Sequence, residues 1–138
     1  MPRFLNPATV APPSSRYSHG VEHSLRARRL VISGQVGLRQ DGTLAEGLEG
    51  QLEQCWDNVI AVLRAANMEV ADLVKVTIFV AARDAIAISR RVRERKLGGH
   101  APASTFLEVA GLARPDFLAE IEAEAVQEAK PWMSAIAT

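Results

Sequence analysis

The polar residues best placed for chemistry lie in two segments near the end of the chain, "PASTFLEV" at 102–109 and "AEIEAEAV" at 119–126. Ser104 supplies a hydroxyl in the first segment, and Glu120 supplies a carboxylate in the second. A carboxylate held on a strand can orient a water molecule or take a proton from it. From the residues alone, a solvated glutamate on a sheet face is an equally good interpretation of Glu120.

The histidines and the cysteine do not indicate a second site. His19 and His23 are four residues apart in an extended stretch, which separates their rings by about 13 Å, too far to share a metal ion. Cys55 falls on the apolar side of a predicted helix, where a cysteine is more often a small buried hydrophobe than a nucleophile. We therefore expect no metal and no cofactor.

The domain organisation and the location follow from composition. The chain has 138 residues and one cysteine, so one domain without an internal disulfide is expected. Residues 1–16 are rich in proline and serine and form an extended N-terminal segment, without an apolar run of signal-peptide length. Residues 17–127 form the single domain and 128–138 a C-terminal tail. No stretch approaches ~18 consecutive apolar residues, so no membrane segment is expected and the predicted location is cytoplasmic.

The charge of the chain argues against nucleic acid as a partner. Sixteen basic and sixteen acidic residues give a formal net charge of zero. The strongest basic cluster, "RRVRERK" at 90–96, lies at the C-terminal end of a predicted helix, where cations interact favourably with the helix dipole. Its cations are expected to face outward, with Ile88 and Val92 facing inward. No aromatic platform for stacking bases accompanies the cluster.

Hydrophobic periodicity places two helices among β-strands. The clearest helix spans 46–66, where apolar residues recur at spacings of three and four and Asn67 supplies a left-handed end. A second helix is predicted over 85–97, capped by Asp84 and ended by Gly98-Gly99. Strands are predicted at 29–36, 72–81, 104–110 and 117–126. This order indicates an α+β fold, with a mixed sheet and both helices packed on one face.

Alternation along the strands divides the sheet into an apolar face and a mixed face. Val76 and Ile78 lie on the apolar face, which should pack under the helices, and Thr105 and Leu107 are expected beside them. The mixed face combines large apolar groups with polar ones: Phe79, Ser104, Phe106, Leu118 and Glu120. A monomer would expose those aromatic rings to water, so we expect other subunits to cover this face.

The chain resembles the reactive-intermediate deaminase family, also called RidA or YjgF-like, in five segments: "RYSHGV", "ISGQVGL", "QLEQCWDNVIAVLRAANMEVADLVKVTIFV", "PASTFLEVAGL" and "AEIEAEAV". Older names for the family are endoribonuclease L-PSP and translation initiation inhibitor. The resemblance covers about residues 15–127. It implies a chorismate-mutase-like α+β fold, a homotrimer, and pockets for small metabolites between subunits.

The resemblance also implies a set of site residues. In deaminating members, an arginine after Pro-Ala holds the carboxylate of an imine or enamine, and a glutamate orients the water that hydrolyses the C=N bond to a keto acid and ammonia. Carried over by position, the catalytic candidate is Glu120. The ligand-binding candidates are Tyr17, Ser33, Gly34, Arg90, Ser104 and Phe106.

Three of these positions depart from the family pattern. Ser104 stands where the arginine is expected, Phe106 where a cysteine is common, and Arg90 where a helix asparagine lies. A serine offers one neutral donor in place of two charge-assisted bonds, a loss of about 1.5–3 kcal/mol of binding. The prediction is therefore a homotrimer that binds a small carboxylate metabolite and lacks robust imine hydrolysis. The alternatives are an active deaminase of altered specificity, with Arg16 or Arg90 holding the substrate, and an RNA-directed translation inhibitor.

Overall fold

The computed structural model describes residues 2–128, which form eight regular elements and one 3-10 turn. The predicted tail at 128–138 lies outside the described residues, apart from its first residue. In chain order the elements are β1 (Arg3–Leu5), β2 (Gly20–Glu22), β3 (Arg28–Val36), α1 (Gly47–Ala65), a 3-10 turn (Val70–Asp72), β4 (Leu73–Val80), α2 (Ile86–Leu97), β5 (Ala103–Glu108) and β6 (Ala119–Gln127).

The main sheet has the strand order β3-β6-β4-β5. β6 runs antiparallel to both of its neighbours, while β4 and β5 are parallel. The predicted mixed sheet and α+β class are confirmed. β1 and β2 form a separate antiparallel pair, so part of the N-terminal segment that was predicted only as extended is a strand. No helix within residues 2–128 is both long and apolar enough to cross a membrane.

The helix α1 forms the centre of the core, because its apolar stripe packs on β3 and β6. Five residues of that stripe are fully buried, as their spacing predicts: Leu52, Cys55, Trp56, Val59 and Leu63. Asn67 follows the helix in the left-handed conformation, with φ 56°, as predicted. The helix thus fixes the two sheet strands that carry Ser33, Gly34 and Glu120.

The predicted bounds of α2 are right to within one residue, but the predicted N-terminal cap is wrong. Asp84 does not cap the helix: its own backbone is left-handed, with φ 57°, and the N-terminal boundary is Ala85, which has no side-chain cap. Glu108 of β5 accepts a hydrogen bond from the Ala85 N–H at 3.3 Å, so the start of the helix is tied to the sheet. Gly98 ends the helix in the left-handed conformation.

The predicted faces of β5 are inverted. In the parallel register, Ser104 lies beside Val76 and Phe106 beside Ile78, and both partners are buried under the helices. Side chains of paired residues lie on the same face of a sheet, so Ser104 and Phe106 point toward the helices. Thr105 lies on the opposite face, where its hydroxyl accepts a hydrogen bond from Lys75 at 2.6 Å.

Glu120 lies on that opposite face, because it pairs with Phe79 across β4. The prediction that Ser104, Phe106 and Glu120 share one face is therefore wrong. The face without helices, which we call the open face, does expose apolar groups of its own: Leu107 is 44% exposed and Val31 is 61% exposed. These residues replace Phe106 in the argument for a covering subunit.

Candidate functional site

A cavity of about 220 Å³ lies between α2, the β4–β5 edge of the sheet and the segment before β2. Four predicted ligand-binding residues line it: Tyr17, Arg90, Ser104 and Phe106. The remaining lining residues are Ser14, Ser15, Ile78, Ile86, Ser89 and Arg93. The structure thus brings together the predicted residues that lie on the helix side of the sheet.

The segment before β2 is held against the start of β5 by Ser18, which is buried. Its N–H donates to the carbonyl of Pro102 at 3.1 Å, and its hydroxyl donates to the carbonyl of Ala101 at 2.6 Å. These bonds set Tyr17 at the mouth of the cavity near Ser104. The ring of Tyr17 also meets that of His19 edge to face, at 5.6 Å between centroids.

Arg93 projects from α2 into this cavity and is only 5% exposed. Its Nη1 donates to the Ser104 hydroxyl at 3.3 Å, and its Nη2 donates to the Ser15 hydroxyl at 3.0 Å. Burial lowers the pKa of the guanidinium below its ordinary value, since the charged form loses water. A guanidinium therefore does reach Ser104, although from the helix and not from the strand.

The expectation that Arg93 faces outward is wrong. Val92 is buried, as expected, but so is a row of residues spaced four apart on α2 and its boundary: Ala85, Ser89, Arg93 and Leu97. This is the spacing of one helix stripe. The sequence did indicate this burial, because the small residues Ser89 and Ala85 lie about one and two helical turns before Arg93. It was overlooked because arginine is almost never fully buried unless it is paired.

Arg90 is the second cation at the cavity, and its Nη2 donates to the Ser14 hydroxyl at 3.2 Å. The other cations of the basic cluster face α1 and are paired there: Arg91 with Glu49 at 3.1 Å, Arg95 with Glu53, and Lys96 with Asp57 at 2.7 Å. Among the ion pairs of residues 2–128, none involves Arg90 or Arg93. The helix thus separates neutralised cations from two that face a cavity.

The other predicted site residues meet on the open face. A register shift in β3 between Ile32 and Gln35 places Ser33 and Gly34 in a bulge next to β6. The carboxylate of Glu120 lies so close to Gly34 that a Cβ at this position would overlap its Oε1. Glycine at 34 therefore leaves room for the carboxylate of Glu120 in this position. Within one chain, the group of Ser33, Gly34 and Glu120 is separated from Ser104 by the sheet.

The side chains of His19, His23 and Cys55 each have a hydrogen-bond partner on the backbone. His19 bonds to the carbonyl of Ala11 and His23 to that of Ser24, both at 2.7 Å, and no cluster of three metal-ligating side chains occurs in residues 2–128. Cys55 is fully buried, and its thiol donates to the carbonyl of Ala119 at 3.6 Å. Burial, with a smaller contribution from the charge of Glu120, raises the pKa of the thiol to about 12, so it is not a nucleophile at neutral pH.

Comparison with known proteins gives consistent matches over the whole described fold. The family model described as Endoribonuclease L-PSP matches residues 8–127. A 2-iminobutanoate/2-iminopropanoate deaminase from Salmonella typhimurium is 34% identical over 125 residues, which are 88% of this chain and 91% of that protein. A solved structure of a conserved Rid family protein from Yersinia pestis has a TM-score of 0.82 and 34% identity, over 91% of this chain and 98% of that one. The RidA structure from a Psychrobacter species has a TM-score of 0.69 and 25% identity, over 91% and 99%.

Proposed function

The chain belongs to the endoribonuclease L-PSP family, whose members include the RidA and YjgF-like proteins, and on that premise we propose that it binds a small carboxylate metabolite in the cavity beside Ser104. We further propose that the cavity lies at the subunit interfaces of a homotrimer in the cytoplasm. In this assembly the protein hydrolyses the simple 2-imino acids of its deaminase relatives only weakly.

The observation that carries the proposal is the charge of the cavity. Two guanidiniums, Arg90 and Arg93, face it, and no aspartate or glutamate is among the described residues that line it. A buried cation whose hydrogen-bond partners are neutral hydroxyls has lost water without gaining a counter-charge. A ligand carboxylate supplies that charge and can accept two parallel bonds from one guanidinium.

The position of the cation explains why relatives' substrates should react slowly. The family resemblance implies an arginine on the strand at position 104, whereas here the guanidinium comes from α2 and is held by Ser15 and Ser104. A carboxylate bound to Arg93 therefore takes a different position relative to the reacting carbon. Small misplacements of this kind can lower a rate by about 100-fold.

A second candidate function is an active deaminase of altered specificity. It is favoured by one observation, namely that a guanidinium is retained at Ser104 even though the family arginine is absent. In this reaction water adds to the C=N carbon of an imino acid, the C–N bond breaks, and a keto acid and ammonia leave. Glu120 would orient that water, as the family resemblance implies.

A neighbouring subunit is needed to complete the proposed site. Ser104 and Glu120 lie on opposite faces of the sheet in one chain, so no ligand can touch both within a monomer. The open face, which carries Glu120, also carries exposed apolar groups, including Leu107 and Val31. Packing of that face against the edge of another subunit would cover these groups and could bring one chain's Glu120 to another chain's cavity.

Two measurements on the purified full chain test the proposal. Calorimetric titration with pyruvate, the keto-acid product of 2-iminopropanoate, should show saturable binding that Arg93→Gln weakens at least tenfold. Arg91→Gln removes the same charge from the same helix outside the cavity, so it is the matched control and should leave binding unchanged. Absence of pyruvate binding by the wild-type protein would refute the proposal.

Turnover separates the two candidate functions. Ammonia release from 2-iminopropanoate generated in solution should be slower than that of an active deaminase relative by at least 100-fold. A wild-type rate equal to the relative's, lost in Glu120→Gln, would establish the second candidate in place of the first.

A further inference from the structure

We infer that the cavity selects a ligand with two carboxylates, with Arg93 binding one of them and Arg90 the other. The inference rests on the proposed function and names the substrate class of that site. The cavity holds two cations, and a ligand with a single carboxylate would neutralise only one of them.

The two arginines are neighbours on α2. Residues three apart on a helix have Cβ atoms about 5–6 Å apart on one side, and both Arg90 and Arg93 line the same cavity. Like charges at this spacing repel each other. Their repulsion is relieved if each binds its own anionic group, and the carboxylates of a four- or five-carbon dicarboxylate are spaced for two such neighbours.

The two cations are held in a similar way. The hydroxyls of Ser14 and Ser15 accept from Arg90 at 3.2 Å and from Arg93 at 3.0 Å, respectively. Consecutive residues of one segment thus orient both guanidiniums without neutralising either of them. By contrast, Arg91 is directed away from the cavity to Glu49.

The two positions differ in burial, and this assigns their roles. Arg93 is 5% exposed and has a second bond to Ser104, so it binds the carboxylate next to the reacting carbon. Arg90 is only half-buried and is therefore the more accessible of the two to solvent, so it binds the distal carboxylate. The aliphatic residues and the phenylalanine that line the cavity are Ile78, Ile86 and Phe106. Apolar groups do not distinguish one carboxylate from two, so we assign this discrimination to the two cations.

The test compares two keto acids that differ by the second carboxylate, pyruvate and 2-oxoglutarate, by calorimetry on the full chain. Wild type should bind 2-oxoglutarate at least tenfold more tightly than pyruvate. Arg90→Gln should lower affinity for 2-oxoglutarate at least tenfold and for pyruvate less than threefold. Arg93→Gln should weaken both ligands at least tenfold, and Arg91→Gln should change neither.

A further variant guards against misfolding. If Arg93→Gln does not give a folded protein by circular dichroism, Arg93→Lys keeps the charge but loses the planar fork, and it should weaken both ligands by a smaller factor. Equal affinity of wild type for the two keto acids, or an equal loss of both in Arg90→Gln, overturns the inference while leaving the proposed function intact. Failure of both ligands to bind wild type overturns the two together.

Discussion

Placing an arginine on the strand at position 104 should damage this protein, although the family resemblance implies one there. The Ser104 hydroxyl lies 3.3 Å from Nη1 of Arg93, so any longer side chain at 104 enters the space beside an existing guanidinium. The Ser104→Arg variant would put two buried cations side by side. The matched variant Ser104→Arg with Arg93→Ser moves the single cation from the helix to the strand.

The magnitude follows from Coulomb repulsion. Two unit charges 4 Å apart in an effective dielectric of 20 repel by about 4 kcal/mol. The new side chain can move away in part, so we expect Ser104→Arg to lower the free energy of unfolding by about 2–4 kcal/mol. For a chain of this length, 1 kcal/mol corresponds to roughly 3–5 °C in the melting temperature, and the expected decrease is about 6–20 °C.

Thermal unfolding and turnover together decide the outcome. The double variant should melt within about 5 °C of wild type, because it buries one cation as wild type does. It should also release ammonia from 2-iminopropanoate at least tenfold faster than wild type, since the carboxylate then binds where the family pattern places it. If Ser104→Arg alone gains this activity without any decrease in melting temperature, the assignment of Arg93 to the cavity is wrong.

Four further outcomes are expected. Labelling of Cys55 by a thiol reagent at pH 8 should be about 1000-fold slower in native than in denatured protein. Only the thiolate reacts, and a pKa of about 12 keeps the thiol protonated until the pH approaches that value. Equal labelling rates would contradict the burial of Cys55. Gly34→Ala should lower turnover as much as Glu120→Gln does, since its Cβ displaces that carboxylate. Its stability loss should stay under about 1 kcal/mol, because the end of a flexible side chain can move. Full activity of Gly34→Ala together with reduced activity of Glu120→Gln would contradict the contact. Gly37→Ala should instead cost about 1–3 kcal/mol in denaturant unfolding, as its Cβ would lie 2.9 Å from the backbone of the buried Gln51; an unchanged midpoint would argue against this packing. Sedimentation equilibrium should give three times the 15.0 kDa chain mass, and a stable monomer at micromolar concentration would refute the homotrimer.

The sequence predicted the fold best in elements whose hydrophobic periodicity extends over many residues. The stripe of α1 runs over five helical turns, and every residue that it places inward is buried or half-buried. In β4 the burial alternates from Val74 to Val80, because this strand lies in the interior of the sheet with a helix layer on one side. For such elements, the sequence alone predicts which side faces the core.

The orientation of β5 could not be obtained in this way. It is a six-residue edge strand, and each of its faces mixes apolar and polar side chains. The deciding fact is the parallel register with β4, in which Ser104 lies beside Val76. Register is a property of the assembled sheet, and a shift of one residue would move every side chain to the other face.

Four of the seven predicted site residues line the cavity, but its most buried cation was not among the predicted ones. Tyr17, Arg90, Ser104 and Phe106 do line one cavity, whereas Glu120 lies across the sheet. Arg93 was not predicted because its charge favours a position on the surface, whereas its spacing on the helix favours a position in the core. When these two signals disagree for a charged residue, a functional reason for its burial is a natural explanation.

The serine hydroxyls around Arg93 fit a site that is ready for an anion. A carboxylate in place of Ser15 or Ser104 would neutralise the guanidinium permanently and leave nothing for a ligand to gain. Neutral hydroxyls hold the planar group in position while they satisfy only part of its hydrogen-bonding capacity. A ligand carboxylate is the stronger acceptor, since charge-assisted bonds are about twice as strong as neutral ones, so it can bind the guanidinium in preference to them. Ser104 then has a role of its own, because it is a partner that orients the arginine of α2.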